Sequence, residues 1–430
     1  MYIISQLKRE GLRMEKLSFL TEEEVLFIKN HYSTPIFVYD EQVMYQRAQE
    51  VLNFPHAFSF TARFAMKALP TRRILQKFHK WGLHIDASSG YEAERAIKAG
   101  IPPSHIQITA QQIPVNLRHL IEQGVLYNAC SLQQLKVYGE MFPETEVSVR
   151  INPGLGSGSS NRTNVGGPSA SFGIWHEYLH KVYEVAHTYK LKVTGMHTHI
   201  GSGSDPEVWI HCAHLALETA GKMPDVQRIS LGGGYKVARM PDEKTANLKE
   251  IGNKILPFFY EFEKKHGRQI HLEIEPGTYL VANAGVLLCS IIDIVDTGPS
   301  GYRFIKIDSG MTENVRPSMY GALHPLIVVP FEQGTPRSEY SYIVSGHCCE
   351  SGDIFTPQKG DPESLEPRKL LEAKIGDVLV VEGAGAYCSS QSCKNYNSFP
   401  ECGELLRTAP FKFEWIRKHQ TLEQMIQNEL

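Results

Sequence analysis

From about residue 57 the chain alternates short β-rich runs with stretches whose apolar residues recur at helical spacing, the rhythm of βα units. "AFSFTARFAMK" reads as a strand and "TRRILQKFHKWG" as a helix, with Thr71 as N-cap and Gly82 as its stop. "LHIDASS" is followed by "GYEAERAIKAG", where Ala93, Ala96, Ile97 and Gly100 keep helical spacing. "HIQITA", "VLYNAC" and "EVSVRINP" continue the pattern, the first two with helical segments behind them. "VTGMHTHI", "RISLGGG" and "IHLEIEPG" complete it, and Leu248, Ile251, Ile255, Phe259 and Phe262 mark one face of a helix before the last, which Gly267 ends. Strands joined by helices must pair in parallel. Eight such strands ringed by helices predict an α/β fold built on a (β/α)8 TIM barrel over residues 41–289. An open doubly wound sheet is the alternative, but no G-x-G-x-x-G follows the first strand.

After residue 290 the rhythm changes. "YRFIKID", "LIVVP", "YSYIVSG" and "DVLVVEG" read as strands separated by Gly, Pro and polar turns, without comparable helices between them. They predict a β-sandwich or barrel-like domain over 290–430. The extended stretch "TPIFVYD" (34–40) is expected to complete that domain from the N-terminal side, so that 15–40 joins it.

Composition narrows the class without naming it. In 430 residues, 42% hydrophobic and 21% charged, Lys plus Arg is 44 against 47 Asp plus Glu. That balance of −3 offers neither a nucleic-acid footprint nor a polybasic membrane patch. The longest apolar run, "VLLCSIIDIV", is too short to span a bilayer and carries Asp293. The opening "MYIISQLKREGLRMEKL" shows no cleavage-like site, and the 8 cysteines lack paired C-x-x-C spacing, so zinc and a secreted disulfide framework are not expected. A cytoplasmic protein is the expectation.

A TIM barrel places its chemistry at the C-terminal ends of its strands. Those positions here are Lys67, Ser88, His197 and His199, Gly232, Gly233 and Gly234, and Glu275. A lysine at a strand end ordinarily snorkels its charge into water; beside these partners it becomes a candidate to form a Schiff base. The glycine run and "EPG" follow the last two strands, where barrels commonly bind phosphate, although three glycines also suit a tight turn. His197 and His199 share a strand face but lack a third metal ligand at convincing spacing. A histidine stacked on a planar ring, with Ser202 donating to a phosphate, fits better. Glu275 could pair with a neighbouring cation; opposite a pyridine nitrogen it would keep that nitrogen protonated, the electron sink of pyridoxal 5'-phosphate.

These residues lie in motifs that resemble the fold-type III pyridoxal-phosphate decarboxylases, the diaminopimelate decarboxylases most closely. The motifs run in order: "FAMKALP", "DASSGYEAERAIKAG", "HTHIGSGSD", "LGGGYK", "EIEPG", "RPSMYGA", "CCESGD" and "GAGAYCSSQSCKNYNSFP". The resemblance implies that Lys67 holds the cofactor, His199 stacks on its ring and Glu275 pairs with its nitrogen. Ser202, Gly233, Gly234, Gly277 and Tyr387 would hold its phosphate. Cys349 would donate a proton, and Arg316, Tyr320 and Glu350, with Tyr387, would read the far end of the substrate. It further implies a homodimer with shared active sites and decarboxylation of meso-diaminopimelate to L-lysine.

Two positions depart from the family pattern. Thr278 stands where an arginine usually follows "EPG", and Ser171 replaces a basic residue of the glycine-rich loop. Arg162, in "GSGSSNRTNVGG", is a candidate to restore the lost charge. The departures keep open a decarboxylase of another basic amino acid, such as ornithine or arginine. A racemase on the same barrel would place a basic residue at the ring nitrogen, where Glu275 stands. A catalytically silent partner-binding homologue would have no need of Lys67, His199, Glu275 and Cys349 together. Cys348, beside Cys349, is expected only to pack.

Overall fold

The computed structural model describes residues 15–156, 165–332, 334 and 336–430. Strands β2 (Phe60–Ala65), β3 (His84–Ala87), β4 (Ile106–Ile108), β5 (Leu126–Ala129) and β6 (Glu146–Asn152) pair in parallel in chain order. A two-residue strand, Ile174–Trp175, lies outside β6; counted as β7, it is followed by β8 (Lys192–His197), β9 (Arg228–Ser230) and β10 (His271–Ile274). The pairings β6–β8, β8–β9, β9–β10 and β10–β2 close the cylinder, so eight parallel strands form the barrel and all their C-terminal ends open on one mouth.

The helical segments legible in the sequence are present, with one difference in how the first begins. Helix α3 (Arg72–Lys80) starts after Thr71, whose side chain makes no capping bond. Its hydroxyl donates instead to Glu404 Oε2 at 2.6 Å, tying the start of the helix to the second domain. Helix α9 (Leu248–His266) buries Leu248, Ile251, Ile255, Phe259 and Phe262 and ends at Gly267, which holds φ near +70°. Each such side chain contributes about 1.5–3 kcal/mol before the cost of ordering it. Two further outer helices escaped the sequence reading: α7 (Leu179–Tyr189), which follows β7, and α8 (Pro206–Gly221). Helix α8 is amphipathic, with Trp209, Cys212, Ala213, Ala216, Leu217 and Ala220 buried and Glu207, His211, His214 and Glu218 exposed at helical spacing, so its period was there to be read.

The second sheet is mixed and nine-stranded. Its long strand β11 (Gly285–Asp296) contains "VLLCSIIDIV" and runs across the position where the sequence rhythm changes. The run β1 (Ile36–Asp40) lies between β11, antiparallel, and β19 (Gly403–Ala409), parallel, with all five residues buried. The N-terminal strand therefore completes this domain, as its extended pattern predicts. Strands β12 (Arg303–Ile307), β13 (Leu326–Val329), β14 (Glu339–Ser345) and β18 (Val378–Val381) correspond to the four runs read from sequence. Strands β11 and β19, with β17 (Arg368–Leu371) and β20 (Lys412–Arg417), add to them.

Candidate active site

Lys67 sits in a 3-10 turn, Met66–Ala68, just past the end of β2 rather than on the strand itself. That turn is pinned from two sides. Ala65 N–H donates to the Pro276 carbonyl at 3.2 Å, while Tyr387 N–H and Ser390 Oγ donate to the Ala68 carbonyl at 3.0 and 3.1 Å. Met66 and Ala68 are buried, and Lys67 alone of the three opens to solvent at the mouth. Crowding by protein opposes its charge, but Tyr387, Asp86 and Glu275 outweigh that and raise its pKa, with Arg150 acting against them. No ion pair to Lys67 occurs among the described residues.

Glu275 follows β10 directly and is almost fully buried. Its partners are His197 Nε2, 2.9 Å from Oε2, and Ser230 Oγ, which donates to Oε1 at 2.8 Å; Gln107 Nε2 lies 3.5 Å from Oε1. The alternative of a lysine or arginine pair is not met among the described residues, and neutral donors and a histidine take that place. Burial favours the neutral acid, yet His197, Ser230 and His199 together hold the carboxyl well below its usual range. His199, two residues beyond the end of β8, has a buried Nδ1 without a partner. Burial first, then Arg150 and Lys67, keep its imidazole neutral.

The glycine run is required by packing. A Cβ on Gly234, where φ is near +90°, would overlap the Gly201 carbonyl, and one on Gly233 would overlap that of Glu275. A Cβ on Gly232 would press on the His199 ring base. The loop after β9 thus lies directly on those after β8 and β10, and Gly203 N–H donates to the Gly234 carbonyl at 3.0 Å, one residue from half-buried Ser202. Gly277 abuts Ala65 and Ala68 beneath the lysine turn. Tyr387 reaches the same turn from the second domain with φ near +57°, a left-handed conformation rare for a bulky residue and met mostly where a site demands it.

The remaining predicted residues are less tightly gathered. Arg316 and Tyr320 bound helix α11 (Arg316–Tyr320), the guanidinium 5.9 Å from the tyrosine ring centroid, and Tyr320 OH accepts from Gln391 Nε2 at 3.0 Å. Cys349 and Glu350 are exposed. Cys349 N–H donates to Asn397 Oδ1 at 2.8 Å, and Glu350 Oε1 accepts from Gly352 N–H at 3.1 Å within its own loop. No described contact joins either to Lys67. Cys348 is half-buried, and burial with Asp353 pushes its thiol up to about 12. Ser88 turns its N–H to Glu92 Oε2 at 2.7 Å, at the start of helix α4 (Gly90–Lys98). Ser171 precedes Phe172, whose ring lies 5.0 Å from the Arg150 guanidinium. Arg162 lies outside the described residues.

Sequence reading passed over several groups at this mouth. Asp86 is buried with one unpartnered oxygen, and burial together with Glu275 raises its pKa against the pull of Lys67. Arg150, also buried, acts on Lys67, Asp86, Glu275 and His199 at once. Both stand at inward positions of "HIDA" and "EVSVRIN", so strand alternation was the signal that could have found them. Gln107, Ser230 and Arg239 had no such motif.

This donor set suits a phosphorylated pyridine aldehyde. An amine stands open at the mouth, an ionised carboxylate has used three of about four acceptor positions, and a neutral imidazole has its Nδ1 unpartnered. Backbone runs without Cβ atoms beside them. Residues 42–282 match the family model described as "Pyridoxal-dependent decarboxylase, pyridoxal binding domain". A diaminopimelate decarboxylase of Escherichia coli (strain K12) is 33% identical over 424 residues, covering 96% of this chain and 97% of that protein. A crystal structure of a diaminopimelate decarboxylase superimposes with a TM-score of 0.88 at 32% identity, covering 95% of this chain and 97% of the other. The Helicobacter pylori diaminopimelate decarboxylase complexed with L-lysine gives 0.83 at 26% identity, covering 95% and 99%.

Proposed function

The chain belongs to the diaminopimelate decarboxylase family of pyridoxal-dependent enzymes, and from that premise we propose that its barrel mouth converts meso-diaminopimelate to L-lysine and CO2. The observation that carries the reading is the combination of an open Lys67, without an ion pair among the described residues, and a Glu275 kept ionised by His197 and Ser230. When bound, pyridoxal 5'-phosphate supplies a protonated ring that takes up the electron pair released as a carboxylate departs.

In this reading each side chain has one task. Lys67 Nζ would be the attachment point for the cofactor aldehyde. Glu275 would accept the ring N–H, and its depressed pKa would keep that proton on the nitrogen. The neutral imidazole of His199 would shield the ring from water. Ser202, Gly233, Gly234, Gly277 and Tyr387 would hold the phosphate, with Asp86 and Arg150 setting the charge balance around the lysine. Cys349 returns a proton to the carbon that lost CO2, while Arg316 and Tyr320 take the far carboxylate and Glu350 the far ammonium.

Cys349 and Glu350 favour a homodimer. A proton donor and a charge reader need a dry enclosure, and both lie on an exposed loop that a second copy of the chain would cover. Among the described residues no helix is long and apolar enough to cross a membrane.

The test is CO2 release by the purified chain with added pyridoxal phosphate, with meso-diaminopimelate, L-lysine and L-ornithine in separate tubes. Release from meso-diaminopimelate alone supports the proposal. Release only from one of the others moves the substrate, and release from none refutes a decarboxylase.

A further inference from the structure

Thr278 leaves the family's arginine position without a charge, and its half-buried side chain offers only a hydroxyl. The segment it opens is laced to two others. Asn283 Nδ2 donates to the Ala238 carbonyl at 2.9 Å, and Gly385 N–H donates to the Ala282 carbonyl at 3.0 Å. Between these strips lies Arg239. Its Nε donates to the Gly383 carbonyl at 2.9 Å, and its stem runs so close to Gly383 that a Cβ there would stand 3.0 Å from Arg239 Cγ. Tyr387, the residue that reaches under the Lys67 turn, lies four positions further along the same strip.

Arg239 has more donors than acceptors. Nη2 is buried without a partner, and among the described residues neither Arg239 nor Arg316 forms an ion pair. Arg316 likewise has a buried, unpartnered Nε. The Arg316 charge acts against that of Arg239. Burial and then Arg316 push the Arg239 guanidinium down to about 10, and both arginines depress the buried His324 beside them. Glu243 is the carboxylate that acts on Arg239, but it accepts the Arg239 backbone N–H and pairs with Lys236 at 3.1 Å. Two half-buried like charges with unpartnered donors therefore remain unfavourable unless an anion completes them.

We propose that Arg239 and Arg316 form a two-guanidinium site for the far carboxylate of the substrate, Arg239 supplying from the loop after β9 the charge that Thr278 removes from the loop after β10. The inference rests on the decarboxylase reading above and adds to it the residue that sets specificity. Loss of CO2 at one end of the substrate leaves the other amino-acid end intact. The product L-lysine therefore still carries the carboxylate that this pair would bind, and cadaverine lacks it.

The experiment uses holoenzyme, wild type and Arg239→Ala, with Arg239→Lys and the double variant Arg239→Ala/Thr278→Arg beside them. Charge-assisted hydrogen bonds to a carboxylate are worth enough that their loss should raise KM for meso-diaminopimelate and Kd for L-lysine about tenfold to a hundredfold. kcat, the Kd for cadaverine, cofactor absorbance and the melting temperature should hold, and Thr278→Arg should recover most of the lost affinity. An unchanged KM overturns the proposal, as does loss of cofactor rather than substrate, which would assign Arg239 to the phosphate. A lower melting temperature with equal weakening toward L-lysine and cadaverine also overturns it, leaving a tie to Gly383. If wild type does not turn over meso-diaminopimelate, the decarboxylase reading fails separately. Calorimetry with L-lysine and cadaverine then decides for the carboxylate site if only L-lysine is weakened, and against it otherwise.

Discussion

Glu273 and Glu275 are separated by one residue, both face the barrel interior, and both are held below the usual carboxylate range. Glu273 points to the foot of the barrel, where it meets Arg63 at 2.9 Å and Arg228 at 3.9 Å beside a cavity of about 760 Å³. Glu275 points to the mouth, where its partners are a histidine and a hydroxyl and the nearby lysine is left open. At the foot the cations have a carboxylate to neutralise them. At the mouth the carboxylate is held ionised by other means, so that the lysine remains available. The same strand thus carries an ion pair that closes the barrel and a carboxylate set aside for chemistry, and what separates them is whether the amine or guanidinium alongside is engaged.

That contrast can be broken most completely at Lys67. Lys67→Ala should bring decarboxylation below detection while the thermal transition stays in place, since the side chain makes no ion pair among the described residues; a residual rate near wild type would refute its role. Glu273→Gln should do the reverse. Arg63 Nη2 has Glu273 as its acceptor, and Nε and Nη1 have none among the described residues, so stripping the charge should cost about 3–5 kcal/mol in denaturant unfolding with kcat of the folded fraction retained. Because the folded Glu273 is more acidic than an unfolded glutamate, its contribution is complete above about pH 5 and drains as pH falls through the folded value. The wild type should therefore lose more stability on acidification than Glu273→Gln, and equal acid limbs would count against the pair.

Glu275→Gln should lower kcat on the order of a hundredfold or more with a smaller effect on unfolding than Glu273→Gln. If the two variants lose stability equally, the division between mouth and foot fails. Ser230→Ala sharpens the comparison most gently. It removes one hydrogen bond to the ionised Glu275 Oε1 and the acceptor of Gly232 N–H, a loss of about 1.5–3 kcal/mol, and should reduce kcat several-fold.

The barrel was legible because its helices and strands differ in period, and because glycines and a lysine fall at strand ends. Helix α8 was passed over although Glu207, His211, His214 and Glu218 mark a polar face opposite its buried one, and β11 read only as an apolar run. Site residues set in quoted motifs, Lys67, His199 and Glu275, are brought to one mouth. Asp86 and Arg150 sit at inward positions that strand alternation marks, but alternation alone does not say that they act on the lysine, which their shared electrostatic reach does. Arg239 was silent for another reason: its meaning depends on Thr278, which lies on a different loop.

Strand β1 carries a consequence for the order of synthesis. Its buried run Ile36–Asp40 emerges from the ribosome before the barrel, yet its neighbours are Gly285–Leu288 and Gly403–Arg407. At about 5–20 residues per second, the strand waits roughly 12–50 s for the first and about 20–70 s for the second. For that interval a newborn chain displays an unpaired apolar strand, a ready partner for another chain doing the same. Ribosomes translating the message close together would bring such strands side by side, and the yield of folded protein should fall as their spacing shrinks.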